Sequence, residues 1–152
     1  MERTAGIDLA SEEHRLVVVE ESGRRLEERR YSHSEDGVSA LVRRLSDLDV
    51  SRVAIERPNG LVVDRLLDAG ISVVAIHPNQ LAASRDRYRS GGGKSDGFDA
   101  YVLAELARTD MHRFNLLAPD SDETKALRTL TRAREDLVEH LDQRHLDAET
   151  GV

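Results

Sequence analysis

Four carboxylates stand at positions where an acidic side chain is unusual or paired. Asp8 lies in the middle of a short apolar run, residues 5–10, although aspartate is depleted in strands because a buried, unpaired charge is costly to desolvate. Glu56 ends a second apolar run, whereas Asp96 and Asp99 are three residues apart at the start of a helical pattern. Residues at that spacing project from one side of a helix.

These residue types suit one kind of chemistry. Hard divalent cations take several carboxylate oxygens at once, and two of them about 3.5–4 Å apart can clamp both oxygens of a phosphoryl displacement. Four like charges brought together without a cation repel strongly. The acids are therefore either dispersed over the surface or gathered around metal, and spacing alone leaves both interpretations open.

The hydrophobic pattern predicts an α/β framework that positions these acids. Three strands within residues 5–32 form an antiparallel meander, and right-handed βαβ crossovers follow it. The elements predicted after the meander are a helix capped by Ser34, a strand over 51–56, a helix over 61–69 and a strand over 71–76. This order predicts a five-stranded mixed sheet in which the strands of Asp8 and Glu56 are adjacent and parallel.

Two further helices follow the sheet. One is predicted over residues 96–108 and carries Asp96 and Asp99 in its first turns. The other, over about 122–145, has a heptad seam interrupted by Arg134; its leucines are Leu127, Leu130, Leu137 and Leu141. The pattern predicts a coiled-coil-like arm that supports a homo-oligomer, because four exposed seam leucines need a cover.

A basic segment precedes the last two acids. It contains Arg85, Arg87, Arg89 and Lys94, and residues 91–93 within it are three consecutive glycines. A charge run is usually a solvated face, but beside a glycine hinge these cations are candidates to bind nucleic-acid phosphates near the acids. The glycines have nothing to bury, so they predict a poorly ordered loop in the absence of nucleic acid.

Composition excludes several classes of function. The 152 residues contain no Cys and no Trp, only 3% aromatic residues, and a formal charge of −7. Thiolate nucleophiles, thiolate metal sites and disulfides are excluded, and aromatic stacking platforms for bases are not favoured. The chain begins with no signal-peptide pattern and contains no apolar run long enough to span a membrane, which predicts a cytoplasmic protein without a membrane partner.

Four segments resemble a known family in order and spacing. They are Gly6-Ile7-Asp8-Leu9-Ala10, Ala54-Ile55-Glu56, His77-Pro78-Asn79-Gln80 and Lys94-Ser95-Asp96-Gly97-Phe98-Asp99-Ala100. Together they resemble the N-terminal domain of the DEDD-type insertion-sequence transposases and site-specific DNA invertases, over roughly residues 4–141. That domain is RuvC-like and has the ribonuclease-H fold.

The resemblance implies a catalytic, metal-binding tetrad formed by Asp8, Glu56, Asp96 and Asp99. It implies Mg²⁺ as the cofactor, with Mn²⁺ as a substitute, and metal-dependent cleavage and transfer of DNA strands during transposition and recombination. DNA is the implied partner, and an element-encoded guide RNA is a further candidate partner. Residues 1–117 would form the catalytic domain and residues 118–152 the helical arm.

Two departures from the family bear on activity. Ser95 stands where the family commonly has Thr, which keeps a hydroxyl for capping the helix. The family also has a C-terminal domain that is thought to contribute a nucleophilic Ser, and this sequence ends after the connecting helix. The sequence is therefore expected to be an excised fragment or a truncated gene product. The alternative function is a non-catalytic remnant that binds nucleic acid or a full-length partner.

Overall fold

The computed structural model of this chain describes residues 2–57, 60–88 and 97–119, together with positions 122, 124–126, 129, 130 and 133. Its elements are, in chain order, β1 (Thr4–Asp8), β2 (Glu13–Val19), β3 (Arg25–Ser32), α1 (Glu35–Asp47), β4 (Arg52–Glu56), α2 (Leu61–Asp68), β5 (Ser72–Ile76), α3 (Pro78–Tyr88), α4 (Phe98–Thr109), a single 3₁₀ turn (Met111–Arg113) and β6 (Asn115–Leu117).

The strands of the described residues form one mixed sheet in the order β3-β2-β1-β4-β5-β6. β1 is antiparallel to β2 and parallel to β4, with Ile7 opposite Ile55. The predicted adjacency of the strands that carry Asp8 and Glu56 is therefore confirmed, and so is the ribonuclease-H-like α/β class.

Within the described residues the sheet has six strands rather than the five predicted. β6 pairs antiparallel with β5 and places Leu117 opposite Val73. A strand of three residues directly after a 3₁₀ turn is too short to show the alternation by which strands are recognised in a sequence. The sixth strand extends the sheet without separating β1 from β4.

Each face of the sheet is covered by helices. The α1–α2 face buries Ile7, Leu16 and Ile55 completely. On the other face, α4 packs over Ala54 and Val74. Because successive side chains of a strand point to opposite faces, β1 turns Ile7 toward α1 and α2, and Gly6 and Asp8 toward α4.

Gly6 allows α4 to lie directly on β1. A Cβ atom at Gly6 would stand 2.6 Å from the backbone nitrogen of Ala104 and closer still to the carbonyl oxygen of Ala100. Both alanines are fully buried. A helix backbone can approach a strand this closely only where neither surface carries a large side chain, and this contact places the first turn of α4 beside the end of β1.

The helix boundaries largely follow the predicted signals. The Ser34 hydroxyl accepts a 3.0 Å hydrogen bond from the Gly37 N–H and caps α1, as predicted. The helix expected from residue 96 instead begins at Phe98, because Gly97 adopts a left-handed φ of 80° that a helix cannot include. The basic segment forms α3 up to Tyr88, and the three glycines lie outside the described residues.

Little of the predicted arm lies within the described residues. The positions described between 122 and 133 are helical, and Leu130 is 64% exposed. The other seam leucines are outside the described part of the chain. None of the helices described is long and apolar enough to cross a membrane.

Candidate acidic site

Asp8 and Glu56 meet at one edge of the sheet because their strands run in the same direction. Each is the last residue of its strand, and the pairing of Ile7 with Ile55 brings the two carboxylates to the same level. The carboxyl ends of adjacent parallel strands are a common place for binding sites in α/β proteins. Both side chains are partly buried there.

Asp99 joins these two acids from the helix layer. It lies in the first turn of α4, which Gly6 holds against β1. Burial raises the pKa of Asp8 above its usual value, and the charges of Asp99 and Glu56 raise it further. The nearby cations Arg15 and Arg85 oppose this shift. Three carboxylates therefore share one electrostatic environment in which the ionised form of Asp8 is disfavoured.

The guanidinium of Arg85 lies within this acidic cluster. Its Nε donates to Asp99 Oδ1 at 3.0 Å and its Nη2 donates to Asp99 Oδ2 at 3.2 Å. The hydrogen bond to Asp99, with the charges of Glu56 and Asp8, raises the pKa of Arg85. Arg85, predicted to contact nucleic acid, is in this structure a counter-charge to the acids.

The other predicted site residues are only partly visible. Arg87 pairs with Asp110 at 3.4 Å, and its guanidinium lies 5.1 Å from the centre of the Tyr88 ring. Asp96, Arg89 and Lys94 lie outside the described residues. The structure thus brings together three of the four predicted acids and one of the four predicted cations.

The donor set suits a hard cation by its chemistry. Asp8, Glu56 and Asp99 offer only carboxylate oxygens, the ligands that Mg²⁺ and similar ions prefer. Within the residues that the structure describes, no three acidic or histidine side chains are close enough to hold an ion in their present geometry. A cation bound beside Asp8 would favour its ionised form and so lower its raised pKa.

A cleft of about 380 Å³ opens beside Asp8 and Glu56. It lies at the carboxyl ends of β1 and β4 and reaches the first turn of α2. Its lining comprises Asp8, Leu9, Ala10, Ser11, His14, His33, Glu56, Arg57, Gly60, Leu61 and Val62. The cleft is large enough for a small ligand or one unit of a polymer.

Two histidines in this cleft were not singled out by the sequence. His14 is buried on β2; its Nδ1 accepts a hydrogen bond from the Ala10 N–H at 3.2 Å, and its Nε2 lies 2.8 Å from His33 Nδ1. Burial lowers the pKa of His14, and His33 lowers it further. The alternation of side chains along β2 could have indicated that His14 is buried, because it shares a face with the core residues Leu16 and Val18.

Comparison with known proteins identifies relatives over most of the chain. A family model described as a transposase, DEDD_Tnp_IS110, matches residues 5–147. The protein named as transposase y4uE of Sinorhizobium fredii is 38% identical over 139 residues, which are 88% of this chain and 39% of that protein. The protein named as the mini-circle transposase for IS117 of Streptomyces coelicolor is 37% identical over 138 residues, 88% of this chain and 33% of that protein.

Two further matches extend this comparison. The 42 kDa protein of insertion element IS900 from Mycobacterium paratuberculosis is 31% identical over 140 residues, 88% of this chain and 35% of its own length. The chain thus spans between a third and two fifths of these relatives. RuvC of T. thermophilus, solved with a Holliday junction substrate, superposes with a TM-score of 0.56 over 77% of this chain and 100% of its own, at 19% identity, which shows a shared fold.

Proposed function

This chain belongs to the DEDD transposase family represented by IS110, and on that premise we propose that it is the metal-binding, nuclease-like part of a transposase. The observation that carries the proposal is the convergence of Asp8, Glu56 and Asp99 from three separate elements. Burial raises the pKa of Asp8, and the charges of Asp99 and Glu56 raise it further. A fold with no use for a cation would gain by dispersing them.

The proposed cofactor is a divalent cation, Mg²⁺ or Mn²⁺. Asp8, Glu56 and Asp99 would hold it, with Asp96 as the fourth acid of the motif. Bound there, such an ion supplies Lewis-acid stabilisation to a phosphodiester under attack. Gly6 contributes indirectly, because it lets α4 carry Asp99 to the ends of β1 and β4. Arg85 provides positive charge to the acids when no metal is bound.

The proposed substrate is DNA. RuvC, which shares the fold, has been solved with a Holliday junction, and the relatives carry transposase names. Arg85 and Arg87 lie on α3, with Arg89 and Lys94 beyond its end. Guanidinium and ammonium groups beside an acidic site are suited to bind backbone phosphates on either side of the reacting bond.

The proposal extends to the rest of the assembly. Residues 1–117 would form the catalytic domain, and the arm over 118–152 would join it to a second copy. The helical state of the described arm positions and the exposure of Leu130 support an associating helix. An element-encoded guide RNA is proposed as a further partner, since the same cationic side chains would also bind the phosphates of RNA.

A second candidate function is a non-catalytic nucleic-acid-binding remnant. The observation that favours it is the two-point ion pair between Arg85 and Asp99, which partly neutralises the acids without metal. In that case the basic residues of α3 would still bind nucleic acid, but the acids would serve only to hold Arg85.

Calorimetric titration with Mg²⁺ and Mn²⁺ discriminates between the two functions. We expect the wild-type chain to bind both ions and Asp8→Asn to lose at least about tenfold in affinity, because even residues that merely orient a metal ligand commonly contribute that much. Asp49→Asn is the matched control, since Asp49 is exposed and precedes the amino end of β4, at the opposite edge. A wild-type chain that binds no ion, or an Asp8→Asn variant that binds equally well, would favour the non-catalytic remnant.

A further inference from the structure

The hydrogen bonds of His14 fix the position of its proton. The backbone N–H of Ala10 can only donate, so the Nδ1 that it contacts at 3.2 Å must be the unprotonated nitrogen. A neutral imidazole then carries its proton on Nε2. The 2.8 Å contact to the second ring therefore runs from His14 Nε2–H to His33 Nδ1.

This arrangement also determines the state of His33. Because its Nδ1 accepts, the proton of neutral His33 lies on Nε2, which has no hydrogen-bond partner within the described part of the chain. The side chain is exposed and lines the cleft. The two rings meet edge to face, with centroids 5.0 Å apart and an interplanar angle of 85°. The cleft is therefore lined by the Nε2–H donor of His33, and the buried His14 holds the His33 ring in place.

The backbone around the pair is tied to the end of β1. The His33 N–H donates to the carbonyl oxygen of Glu12 at 2.8 Å, and His14 holds Ala10, two residues after Asp8. The pair therefore connects the loop that follows Asp8 to the start of α1. Replacing either histidine would therefore alter the loop that lines the cleft, whereas the positions of Asp8 and Glu56 are set by their strands.

Protonation of either ring would disrupt this arrangement. A second proton on His33 would set two N–H groups against each other, unless His14 gave up its bond from Ala10. The ionisable groups that share the cleft are Asp8, Glu56 and Arg57. The donor stands beside two acids and one exposed cation.

The chemistry of the cleft points to one ligand class. Two carboxylates at its edge repel a free anion, but a phosphodiester drawn in by a cation at the acids would bring its oxygens to the donors nearby. We propose that His33 Nε2–H donates to a phosphodiester oxygen of the DNA strand on which the acids act, with His14 as its positioning residue. This inference rests on the proposed function, and Arg57 would supply the adjacent positive charge.

The test uses the full chain, a synthetic four-way DNA junction and fluorescence anisotropy at fixed salt in the presence of Ca²⁺. We expect His33→Ala to weaken binding about three- to tenfold, the range of one neutral hydrogen bond, and His33→Gln to restore part of the loss through its amide donor. His112→Ala is the matched control, because His112 is an exposed histidine of the 3₁₀ turn. Binding by His33→Ala equal to that of the wild type would overturn the inference.

Nuclear magnetic resonance of ¹⁵N-labelled histidine provides an independent readout. We expect the free chain to show both rings protonated at Nε2, and the Nε2 resonance of His33 to shift on addition of the junction. In His14→Gln, His33 would lose its preference for one tautomer even if the fold is kept. A wild-type His14 protonated at Nδ1 would overturn the inference.

The failure of the inference differs from the failure of the proposed function. If the wild-type chain binds Mg²⁺ and the junction while His33→Ala matches it, only the role of His33 is wrong. If the wild-type chain binds neither, both proposals are wrong.

Discussion

At the scale of single residues, the charge of Asp8 opposes the stability of the fold, whereas the proposed function requires that charge. Its pKa is raised by burial and by Asp99 and Glu56, so keeping it ionised at neutral pH costs the folded state free energy. The acidic site is thus a point of stored electrostatic strain at the end of β1.

Asp8→Asn should therefore raise the unfolding temperature of the metal-free chain at pH 7. The variant removes a partly desolvated charge that two other carboxylates repel. Mg²⁺ should raise the unfolding temperature of the wild type, since a ligand that binds only the folded state stabilises it, and should raise that of the variant less. Thermal denaturation with and without Mg²⁺ measures both effects. An Asp8→Asn variant less stable than the metal-free wild type would contradict this account.

The pH dependence of stability should report the state of His14. Its pKa in the folded chain lies below the ordinary value of 6.5, so between these two values the unfolded chain binds more protons. The free energy of unfolding should then fall as the pH falls below about 6.5. Urea denaturation at pH 7.5 and pH 5.5 measures this fall.

His14→Gln should lessen that pH dependence, and His112→Gln should preserve it. If the fall in stability is the same in the wild type and in His14→Gln, the neutral histidine pair is wrong.

The sequence predicts the acids better than the histidines, for a physical reason. Asp8 and Glu56 are conspicuous because a charge ends or interrupts an apolar run, and Asp99 because of its spacing from Asp96. His14 has no such contrast, since a single histidine in a strand is usually part of the core or the surface. Its role depends on Ala10 and on His33, 19 residues away, which only the folded structure brings together.

At the scale of elements, the contact between α4 and β1 positions the site. Gly6 and the buried alanines Ala100 and Ala104 let the helix lie on the strand. The sequence predicted both elements, but not that their backbones touch, because a glycine in a strand has several possible causes. The sequence also missed β6, because three residues are too few to show strand alternation, and the start of α4, because the left-handed φ of Gly97 is not visible in a sequence.

Gly6→Ala should destabilise the chain by about 1–3 kcal/mol, the usual range for overpacking a tight core. The added methyl group would meet the backbone of α4, which cannot rotate away as a side chain can. The same variant should weaken Mg²⁺ binding, because Asp99 moves with α4. Urea denaturation and calorimetry measure the two effects.

Gly70→Ala is the control for Gly6→Ala. Gly70 has a left-handed φ of 81° but open space around its missing Cβ, so its replacement strains the backbone without displacing α4. Mg²⁺ affinity should therefore fall in the Gly6 variant alone. Equal Mg²⁺ affinities in Gly6→Ala and the wild type would show that the contact does not position Asp99.

At the scale of the whole molecule, the described part of the chain is a six-stranded sheet with acidic residues at one edge and helices on both faces. It spans between a third and two fifths of its curated relatives. The hydrophobic pattern predicted an α/β protein, the composition excluded thiol chemistry, and the family resemblance implied the ribonuclease-H-like fold. The leucine pattern of the arm predicts an apolar surface. It does not say which partner covers that surface, so the oligomeric state needs its own experiment.

The arm should make the chain dimeric. Burying one Leu contributes about 1.5–3 kcal/mol, so the four seam leucines support association despite Arg134. Leu130→Glu combined with Leu137→Glu should give a monomer with an unchanged core. Sedimentation velocity over a concentration series measures this, with the double variant Leu130→Met and Leu137→Met as the control. A wild-type monomer at high concentration would contradict the prediction.

A crystal structure of the full chain with Mn²⁺, located by its anomalous scattering, tests the central claim most directly. We predict Mn²⁺ bound by Asp8, Glu56 and Asp99, with Arg85 released from Asp99, because the ion supplies the charge that the guanidinium now provides. Mn²⁺ bound elsewhere, or no anomalous peak beside Asp8 at a saturating concentration, would contradict the assignment of this edge of the sheet as a metal-dependent nuclease site.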